Sequence, residues 1–294
     1  MASDELDKVE LPALEQLQSL GWSYVEGAKL SPDESDERSS LKDVVLEKRL
    51  TDSLKHINPW INEENLRKVV RDLTKTPYSN LVEANQGIWT QINQSVSVMQ
   101  DLGKGNKGQA VHIIDFERPE NNEFLCTNQF KVSGVNQNII PDILCFVNGL
   151  PLAVIECKSP YITNPMEAGI GQLLRYANRR TPEHDEGAEK LFHYNLMMVS
   201  TYRDEARVGT ITAGMEHYLE WKDPYPLKLE ELGDSPSSQE IMIAGLFSKI
   251  NFLDVMQNFT IFEPEGGRII KKIPRYQQFR AVHKTIERLK TGNT

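Results

Sequence analysis

The sequence predicts an α/β fold in which helices flank a mixed central sheet. Helix-like segments come first, strand-like apolar segments follow between residues 96 and 158, and a further helix precedes the buried strand-like run LMMVST. A helix, three or more antiparallel strands, a second helix and a further strand pack as a sheet with helices on its faces, because each element must bury its apolar side.

The N-terminal segment, LPALEQLQSLGW, indicates a short opening helix. The acidic run SPDESDE at 31–37 follows it and is typical of a solvated loop. We therefore expect residues 1–40 to form a helix and an acidic loop that pack on the core.

Three further helices are predicted before the strands. One lies near 41–57, one lies near 63–73 and is capped by Asn62, and the third passes through Leu81, Ile88 and Trp89.

Two strand-like segments, VSVMQDL and QAVHIIDF, flank the run GKGNKG. The glycines and lysines suggest a phosphate-binding loop, but the run lacks the GK[ST] ending and the following helix of that motif. A simple hairpin loop is therefore favoured. FLCTNQFKV, PDILCF and LAVIECK are then predicted to extend the sheet.

A helix is predicted after the last of these strands. Asn164 is placed as its N-cap, Pro165 as its first residue and Glu167 where a capping box has its acid. We expect the helix to run to about Arg180. Its predicted buried stripe is Ile170, Leu173, Leu174 and Ala177.

The C-terminal third begins with a segment, 223–240, that has too little apolar content for a packed element and is predicted to be a mobile surface loop. GLFSKINFLDVMQNFTIFE then predicts a helix and a strand, and KIPRYQQFRAVHKTIERL predicts a last helix.

The net charge of −9 argues against a strongly basic protein that binds nucleic acid unaided. Much of the negative charge lies in the tracts at 31–37 and 228–234, whereas 268–290 is basic. A domain that binds nucleic acid only together with partner domains is compatible with this balance. No signal peptide or long apolar run is found, so we expect a cytoplasmic protein without membrane contact.

The cysteines and histidines give no metal pattern. Cys126, Cys145 and Cys157 lie in apolar strand-like sequence without CxxC spacing, so buried reduced thiols are expected. The histidines show neither HxxxH nor HExxH spacing, and zinc hydrolysis is unsupported.

Three charged residues lie within the apolar stretch PDILCFVNGLPLAVIECK: Asp142, Glu156 and Lys158. A charge inside a buried strand is costly unless it is paired or holds a metal. Side chains alternate across a strand, so Glu156 and Lys158 share one face while Cys157 points to the other. This pattern indicates a metal-dependent nuclease site.

The turn between the two strands decides whether Asp142 joins that face. A strict two-residue loop at Asn-Gly would put Asp142 on the face away from Glu156. We therefore predict a three-residue loop, Val147 to Gly149, with Gly149 in the left-handed conformation as a bulge. This register sets Asp142 opposite Val154 and diagonal to Glu156.

Two carboxylates at that separation suit Mg²⁺, which takes oxygen ligands, and the backbone carbonyl of Cys157 could supply a further oxygen. Such an ion would polarise a scissile phosphate and acidify a water, while the Lys158 ammonium orients that water or offsets developing charge. The predicted reaction is phosphodiester hydrolysis. The alternative is a surface salt bridge on an edge strand, because a loose D…ExK match arises often in a charged chain; Pro141 and the flanking apolar runs favour the site.

Gln172 and Tyr176 lie four residues apart on the predicted helix and could reach the edge of the site or a DNA strand. A polar pair that bonds to nearby backbone has the same spacing. Arg175, Arg179 and Arg180 could meet phosphates, although arginines near a helix C-terminus also favour the helix dipole.

PD(x)13ExK followed by QxxxY is similar to the motif of the PD-(D/E)xK nuclease superfamily, in its RecB-like branch. LVEAN, HIIDFERPENNEFLCTNQF, PDILCFVNGLPLAVIECK and IPRYQQFRAV resemble the N-terminal part of the restriction and translocation (R) subunit of type I restriction-modification enzymes, from about Leu41 onward. The resemblance implies a restriction-endonuclease-like α/β core and a type I site-specific deoxyribonuclease activity.

By that resemblance, Asp142, Glu156 and Lys158 are the cleavage residues, and Gln172 and Tyr176 form a supporting motif. Related nucleases often add an acid from the first core helix. Glu83 in LVEAN is our candidate, although an exposed helical glutamate needs no such role.

The resemblance also implies a helicase-like motor beyond this region. Gln278 in RYQQFRAV is similar to the adenine-reading glutamine of that motor, and an ordinary exposed helix residue is the alternative. No Walker A motif is present, so ATP is expected to bind only in the full-length protein. The predicted domains are an endonuclease domain at 41–260 and a linker with the start of the motor at 261–294.

Two functions follow from these expectations. The first is a Mg²⁺-dependent endonuclease domain that cuts double-stranded DNA when its motor stalls, in a complex with modification and specificity subunits. The second is a catalytically silent docking module that tethers the motor to the modification subunits. The three intact charged residues favour the first, and a stand-alone repair nuclease is a third possibility. We expect little or no cleavage by the isolated fragment, because an acidic domain binds DNA weakly.

Overall fold

The computed structural model describes residues 2–75 and 77–292. Residues 1, 293 and 294, at the limits of the predicted first and last segments, lie outside the described residues. The helices are α1 (Ala2–Glu5), α2 (Leu11–Ser19), α3 (Glu47–Ile57), α4 (Glu63–Lys75), α5 (Leu81–Gln94), α6 (Pro165–Tyr176), α7 (Glu189–Phe192), α8 (Ser238–Phe247), α9 (Lys249–Asp254) and α10 (Tyr276–Thr291). The strands are β1 (Ser23–Tyr24), β2 (Val96–Asp101), β3 (Asn106–Val111), β4 (Phe124–Asn128), β5 (Val132–Ser133), β6 (Asn138–Ile139), β7 (Ile143–Val147), β8 (Leu150–Cys157), β9 (Met197–Thr201), β10 (Ala206–Gly209), β11 (Leu219–Glu220), β12 (Ile261–Glu265) and β13 (Arg268–Lys272).

A seven-stranded sheet with the order β1-β4-β7-β8-β9-β10-β11 forms the centre of the structure. β4, β7 and β8 are antiparallel neighbours, and β9 lies parallel to β8 after the crossover through α6. Every residue of β7, β8 and β9 is buried. Such strands read as continuous apolar runs because both faces of the sheet are covered. The predicted mixed sheet with flanking helices is confirmed.

The N-terminal segment is part of this core. α1 continues through a π-helical stretch, Leu6–Glu10, into α2, and buries Ala13, Leu14 and Leu17. α2 packs against α8, and β1 pairs in parallel with β4.

The hairpin β2–β3 confirms the hairpin interpretation of GKGNKG, but the expectation that it extends the main sheet was wrong. It forms a separate two-stranded sheet. Its buried positions are Val98, Gln100 and Val111, whereas most of its residues are exposed, and β2 packs against α4.

Two predicted helix limits were also wrong. The helix near 41–57 begins only at Glu47, because Leu46 donates its N–H to the carbonyl of Gly149 outside the helix. α6 ends at Tyr176 rather than near Arg180, because Asn178 adopts a left-handed conformation with φ 54°. Asn164 is left-handed as well and forms no side-chain cap, so the predicted capping box is absent.

The segment 223–240 packs on the rest of the structure near its two ends, and its predicted mobility stays a prediction. The Tyr225 ring packs beside Phe279 and under Arg280, and Asn251 donates to the Tyr225 carbonyl. α8 already begins at Ser238, capped by Ser237. A few aromatic contacts are enough to hold a chain of otherwise polar residues.

The three cysteines are free and buried, as predicted. None of the helices in the described ranges is both long and apolar enough to cross a membrane.

Candidate functional site

The hairpin of β7 and β8 sets the register of the site. Its turn is a two-residue Asn-Gly loop, with φ 51° at Asn148 and φ 78° at Gly149, and Val147 pairs with Leu150. The predicted three-residue loop was therefore wrong. Both turn residues have the positive φ of a type I′ turn, which matches the twist of the strands.

The extra residue that changes the register lies inside β8 and not in the turn. Phe146 pairs with Pro151 but Cys145 pairs with Ala153, so Leu152 is an extra residue, a β-bulge. Ile143 consequently pairs with Ile155, and the next residue along β7, Asp142, faces Glu156 rather than Val154. The bulge thus brings both acids to one face of the sheet.

Asp142, Glu156 and Lys158, which we call the ExK cluster, lie together at the ends of β7 and β8. Lys158 Nζ donates to Glu156 Oε1 over 2.6 Å and to the Cys157 carbonyl over 2.8 Å. It lies 3.9 Å from Asp142 Oδ2, which itself accepts the Cys157 N–H over 2.8 Å. All three charged side chains are buried, Glu156 completely. The structure therefore brings the three predicted residues into contact.

Burial and the adjacent Asp142 raise the pKa of Glu156 well above its ordinary value, while Lys158 acts in the opposite direction. Burial lowers the pKa of Lys158, but the carboxylates of Glu156 and Asp142 outweigh it and raise that pKa overall. The ammonium thus stays charged and is held by two acids in a region of low dielectric.

The donor set fits a hard divalent cation. Glu156 Oε2 is buried and has no hydrogen-bond partner among the described residues, a costly condition that a cation would relieve. Asp142, Glu156 and the Cys157 carbonyl offer only oxygen, as Mg²⁺ prefers. No group of three or more His, Cys, Asp or Glu side chains with metal-binding spacing occurs in the described part of the chain. An ion here would therefore have two side-chain ligands and main-chain or water oxygens.

Gln172 and Tyr176 are linked on α6 near this cluster. Gln172 Nε2 donates to the Tyr176 hydroxyl over 2.5 Å, and that hydroxyl donates to the Ile140 carbonyl over 3.1 Å, two residues before Asp142. Burial, followed by the charge of Glu156, raises the pKa of Tyr176. The pair therefore supports the chain that enters β7.

The arginines in and after the C-terminal part of α6 make different contacts. Arg175 stacks over the Tyr176 ring at 4.8 Å, whereas Arg180 forms an ion pair with Glu186 over 2.8 Å. Arg179 and Arg180 are exposed beyond the end of α6. They are accessible to a phosphate backbone, and that role stays a prediction.

Glu83 and Gln278 lie in other contacts. The Glu83 carboxylate accepts from Ser79 and its N–H donates to Asn80, at the start of α5, and within the described ranges no hydrogen bond joins it to the ExK cluster. Gln278 Oε1 accepts the Arg275 N–H at the start of α10, beside an open cleft of about 720 Å³. The roles predicted for both residues stay predictions.

Sequence reasoning missed Glu5, Glu10 and Gln129. Glu5 accepts the N–H of Ser159, the residue after Lys158, over 3.2 Å. Glu10 and Asp142 both accept from Gln129 Nε2, over 3.2 and 3.3 Å.

One signal in the sequence could have found Glu10. It stands three, four and seven residues before Ala13, Leu14 and Leu17, which form the apolar stripe of the opening helix. An acid at that spacing points into the core and needs a partner there.

Comparison with known proteins gives relatives of one kind. The type I restriction enzyme HindI endonuclease subunit of Haemophilus influenzae is 31% identical over 287 residues, which cover 95% of this chain and 26% of that protein. Two putative type I restriction enzyme endonuclease subunits of Methanocaldococcus jannaschii, MjaIXP and MjaVIIIP, are 28% and 31% identical and cover 95% and 94% of this chain. The chain spans about a quarter of the length of these curated relatives, between 25% and 27%.

The sequence model of one family matches residues 3–217, from the N-terminal helix through β9 and β10. The match includes the ExK cluster, Gln172 and Tyr176. Because it spans most of the chain, the protein belongs to the family described as type I restriction enzyme R protein N terminus.

Proposed function

We propose that this chain is the Mg²⁺-dependent endonuclease domain of a type I restriction enzyme R subunit, with a PD-(D/E)xK nuclease core. Its reaction is hydrolysis of phosphodiester bonds in double-stranded DNA. The observation that carries the proposal is the ExK cluster, in which two buried acids and a lysine meet a main-chain carbonyl at the ends of β7 and β8.

The cost of this arrangement argues for chemistry rather than structure. Buried ion pairs contribute little net stability, because the loss of hydration offsets their attraction. Hydrophobic residues would fill these strand ends at lower cost, and no residue that the structure describes bonds to the second Glu156 oxygen. A buried acid with a raised pKa, such as Glu156, beside a second acid and a cation is typical of functional sites. A docking module would have no need of them.

Each residue of the cluster has a distinct task in the proposed reaction. Asp142 and Glu156, with the Cys157 carbonyl, would hold Mg²⁺, which supplies Lewis acidity at the scissile phosphate. The Cys157 N–H orients the Asp142 carboxylate. Lys158 provides a charged donor that can orient the attacking water or offset negative charge on the phosphate.

Gln172 and Tyr176 support this geometry from α6. Their hydrogen bonds fix the chain at Ile140, immediately before the Pro141-Asp142 segment. We assign them a supporting role in placing Asp142.

The partners in this proposal are duplex DNA, the modification and specificity subunits, and the subunit's own motor, which would bind ATP and to which cleavage is coupled. The acidic net charge of −9 supports a domain that depends on such partners for contact with DNA.

The experiment compares the wild-type R subunit with Lys158→Ala in the complete restriction complex. DNA cleavage and ATP hydrolysis are measured in the same reactions with Mg²⁺. We expect cleavage to fall at least 100-fold while ATP turnover is unchanged, because one charged catalytic group contributes roughly 10²–10⁴-fold. Lys104→Ala, in the exposed β2–β3 turn, is the matched control and should cut normally.

Cleavage by Lys158→Ala at the wild-type rate would remove Lys158 from the reaction and favour the docking module. Loss of both activities in the variant would place its effect on assembly rather than on hydrolysis.

A further inference from the structure

We infer that the N-terminal helical segment is part of the nuclease site, and that Glu10 is a positioning residue that orients Asp142 through the side chain of Gln129. The inference rests on the proposed function. It adds a residue that lies more than 130 positions before Asp142 in the chain, at a place where the motif of the site gives no indication of it.

The amide of Gln129 links the two acids. Its Nε2 donates to Glu10 Oε2 over 3.2 Å and to Asp142 Oδ1 over 3.3 Å, and its backbone N–H donates to the Asp142 carbonyl over 3.1 Å. Asp142 Oδ2 is taken by the Cys157 N–H. The orientation of the Asp142 carboxylate is therefore set from two sides.

Glu10 and Asp142 together set the orientation of this amide. An amide has a donor end and an acceptor end, and either can face a given position. Because carboxylates on both sides accept hydrogen bonds, only the NH₂ end is favourable between Glu10 and Asp142. Without the Glu10 charge only Asp142 favours that orientation, so the amide is held less firmly against Asp142.

Gln129 also has the backbone strain that is common at functional sites. Its φ is 51°, in the left-handed region, where residues with side chains other than Asn or Asp are uncommon. The strain places the side chain between the end of β4 and the N-terminal helices, and its partners on both sides maintain it.

Glu10 itself is held firmly. It is almost fully buried, and its Oε1 accepts from Asn128 Nδ2 over 2.9 Å. A buried carboxylate is costly, and apolar neighbours such as Val9 and Ala13 show that the helix could bury hydrocarbon here instead. The location of this charge beside the ExK cluster fits a role in orienting Asp142.

A second set of contacts fixes the same helix to the other side of the site. Gln239 Nε2 donates to the Val9 carbonyl, and Gln239 Oε1 accepts from the Thr201 hydroxyl. The Thr201 carbonyl accepts the N–H of Lys158. Glu5 bonds to Ser159. The N-terminal segment thus contacts the chain around both Asp142 and Lys158.

The test measures divalent cation binding to the complete R subunit without nucleotide, by calorimetric titration with Mn²⁺. The variants are Glu10→Gln, Gln129→Asn and the double variant, with Asp142→Asn as reference. Asparagine tolerates positive φ and retains an amide, but it is one methylene too short to bridge both acids. Glu15→Gln, an exposed acid on the same helix, is the matched control.

We expect Glu10→Gln and Gln129→Asn each to weaken Mn²⁺ binding at least fivefold, and the double variant to be no weaker than the poorer single variant, because both act through one contact. Without metal, the melting temperature of Glu10→Gln should be no lower than that of wild type, because the substitution removes a buried charge. Glu15→Gln should bind as wild type. DNA cleavage in the complete complex should fall in parallel with metal affinity.

Wild-type Mn²⁺ affinity in Glu10→Gln, with binding lost in Asp142→Asn, would overturn the inference and leave the proposed function standing. Independent losses that add in the double variant would overturn the route through Gln129. If Asp142→Asn binds Mn²⁺ as tightly as wild type, both the proposed metal site and this inference are overturned.

Discussion

The Lys158 ammonium contacts two of the oxygens that could hold a divalent cation. It lies 2.6 Å from Glu156 Oε1 and 2.8 Å from the Cys157 carbonyl oxygen, and is near Asp142. In the structure it therefore neutralises part of the negative charge of the site, and an ion that uses those oxygens must displace it.

Replacement of Lys158 by methionine should separate two effects of the lysine, its neutralisation of the buried acids and its competition with a metal ion for their oxygens. Without metal, Lys158→Met leaves two buried acids uncompensated and should lose stability, by about 3 kcal/mol if they stay ionised. The rise in melting temperature on addition of Mg²⁺ should be larger than in wild type, because the site is more negative and its oxygens are free. Thermal melts across a Mg²⁺ titration measure both quantities, with Lys104→Met as control.

A smaller Mg²⁺-induced rise in Lys158→Met than in wild type would contradict this account. It would mean that the lysine helps to hold the ion rather than competing with it.

At this scale the sequence predicts the ExK cluster well and Glu10 poorly. Glu156 and Lys158 are two residues apart on one strand, so the alternation of side chains places them together. Glu10 reaches Asp142 only through the tertiary packing of a helix on β4, and no local periodicity encodes a contact across such a separation.

At the scale of elements, Gly149 fixes the turn on which the register depends. A Cβ there would lie 2.5 Å from the Leu46 carbonyl oxygen and 2.8 Å from the Leu50 nitrogen, and the φ is +78°. The hairpin turn thus lies directly against the start of α3, to which Gly149 is also hydrogen-bonded.

Gly149→Ala should destabilise the protein far more than Gly103→Ala. Gly103 has a φ of +91°, and no atom in the described part of the chain lies within 4 Å of its Cβ position. Gly103→Ala therefore measures the cost of the backbone conformation alone, about 1–2 kcal/mol. Gly149→Ala adds a clash with backbone, worth another 1–3 kcal/mol or so. Urea unfolding of the two variants gives the difference directly. Equal losses would mean that α3 moves away freely.

The loop length and the bulge show what the sequence alone does not determine. The Asn-Gly pair strongly favours a two-residue turn, and the structure has that turn. The requirement that both acids share a face predicts that one residue must be added somewhere, but not that it is Leu152. A bulge inside a strand depends on the neighbouring strands, which periodicity does not show.

At the scale of the whole molecule, buried Lys271 ties the C-terminal hairpin to the core. Its Nζ donates to Asn85 Oδ1 on α5 over 2.9 Å and to the Asn195 carbonyl, before β9, over 2.5 Å. Burial lowers the pKa of Lys271 to about 7.

The stability of the protein should therefore rise with pH through this group. An unfolded lysine keeps its proton until about pH 10.4, whereas the folded one loses it near 7, so the unfolded state binds more protons between these values. Between pH 7 and 8.5 the unfolding free energy of wild type should rise by roughly 1.5 kcal/mol relative to Lys271→Met. Denaturant unfolding of both proteins at each pH isolates the effect, since the other titrating groups cancel in the difference.

Lys272→Met, at the half-buried neighbouring position where the lysine pairs with Glu263 and Glu265, should leave the pH dependence of wild type unchanged between pH 7 and 8.5. If the difference in unfolding free energy between wild type and Lys271→Met stays constant from about pH 7 to 8.5, the lysine reaches solvent and its pKa is not lowered.

The fold class was predictable because helix and strand periods are local, whereas the way distant segments join was not. The N-terminal helices lie against α8, which is more than 200 residues away in the chain, through contacts such as that of Gln16 with the Glu240 carbonyl. The separate β2–β3 sheet and the packed Tyr225 segment likewise depend on what each meets in space.

The bulge at Leu152 limits how the length of this hairpin can change in evolution. Between Asp142 and Glu156, a single insertion or deletion exchanges the two faces of one strand and separates the acids, whereas a change of two residues preserves their phase. Homologous proteins should therefore differ in this interval by even numbers of residues, or else compensate one gain with the loss of the bulge. The number of residues between Asp142 and Glu156 should therefore vary in steps of two, although the intervening residues have no charge and no part in the chemistry.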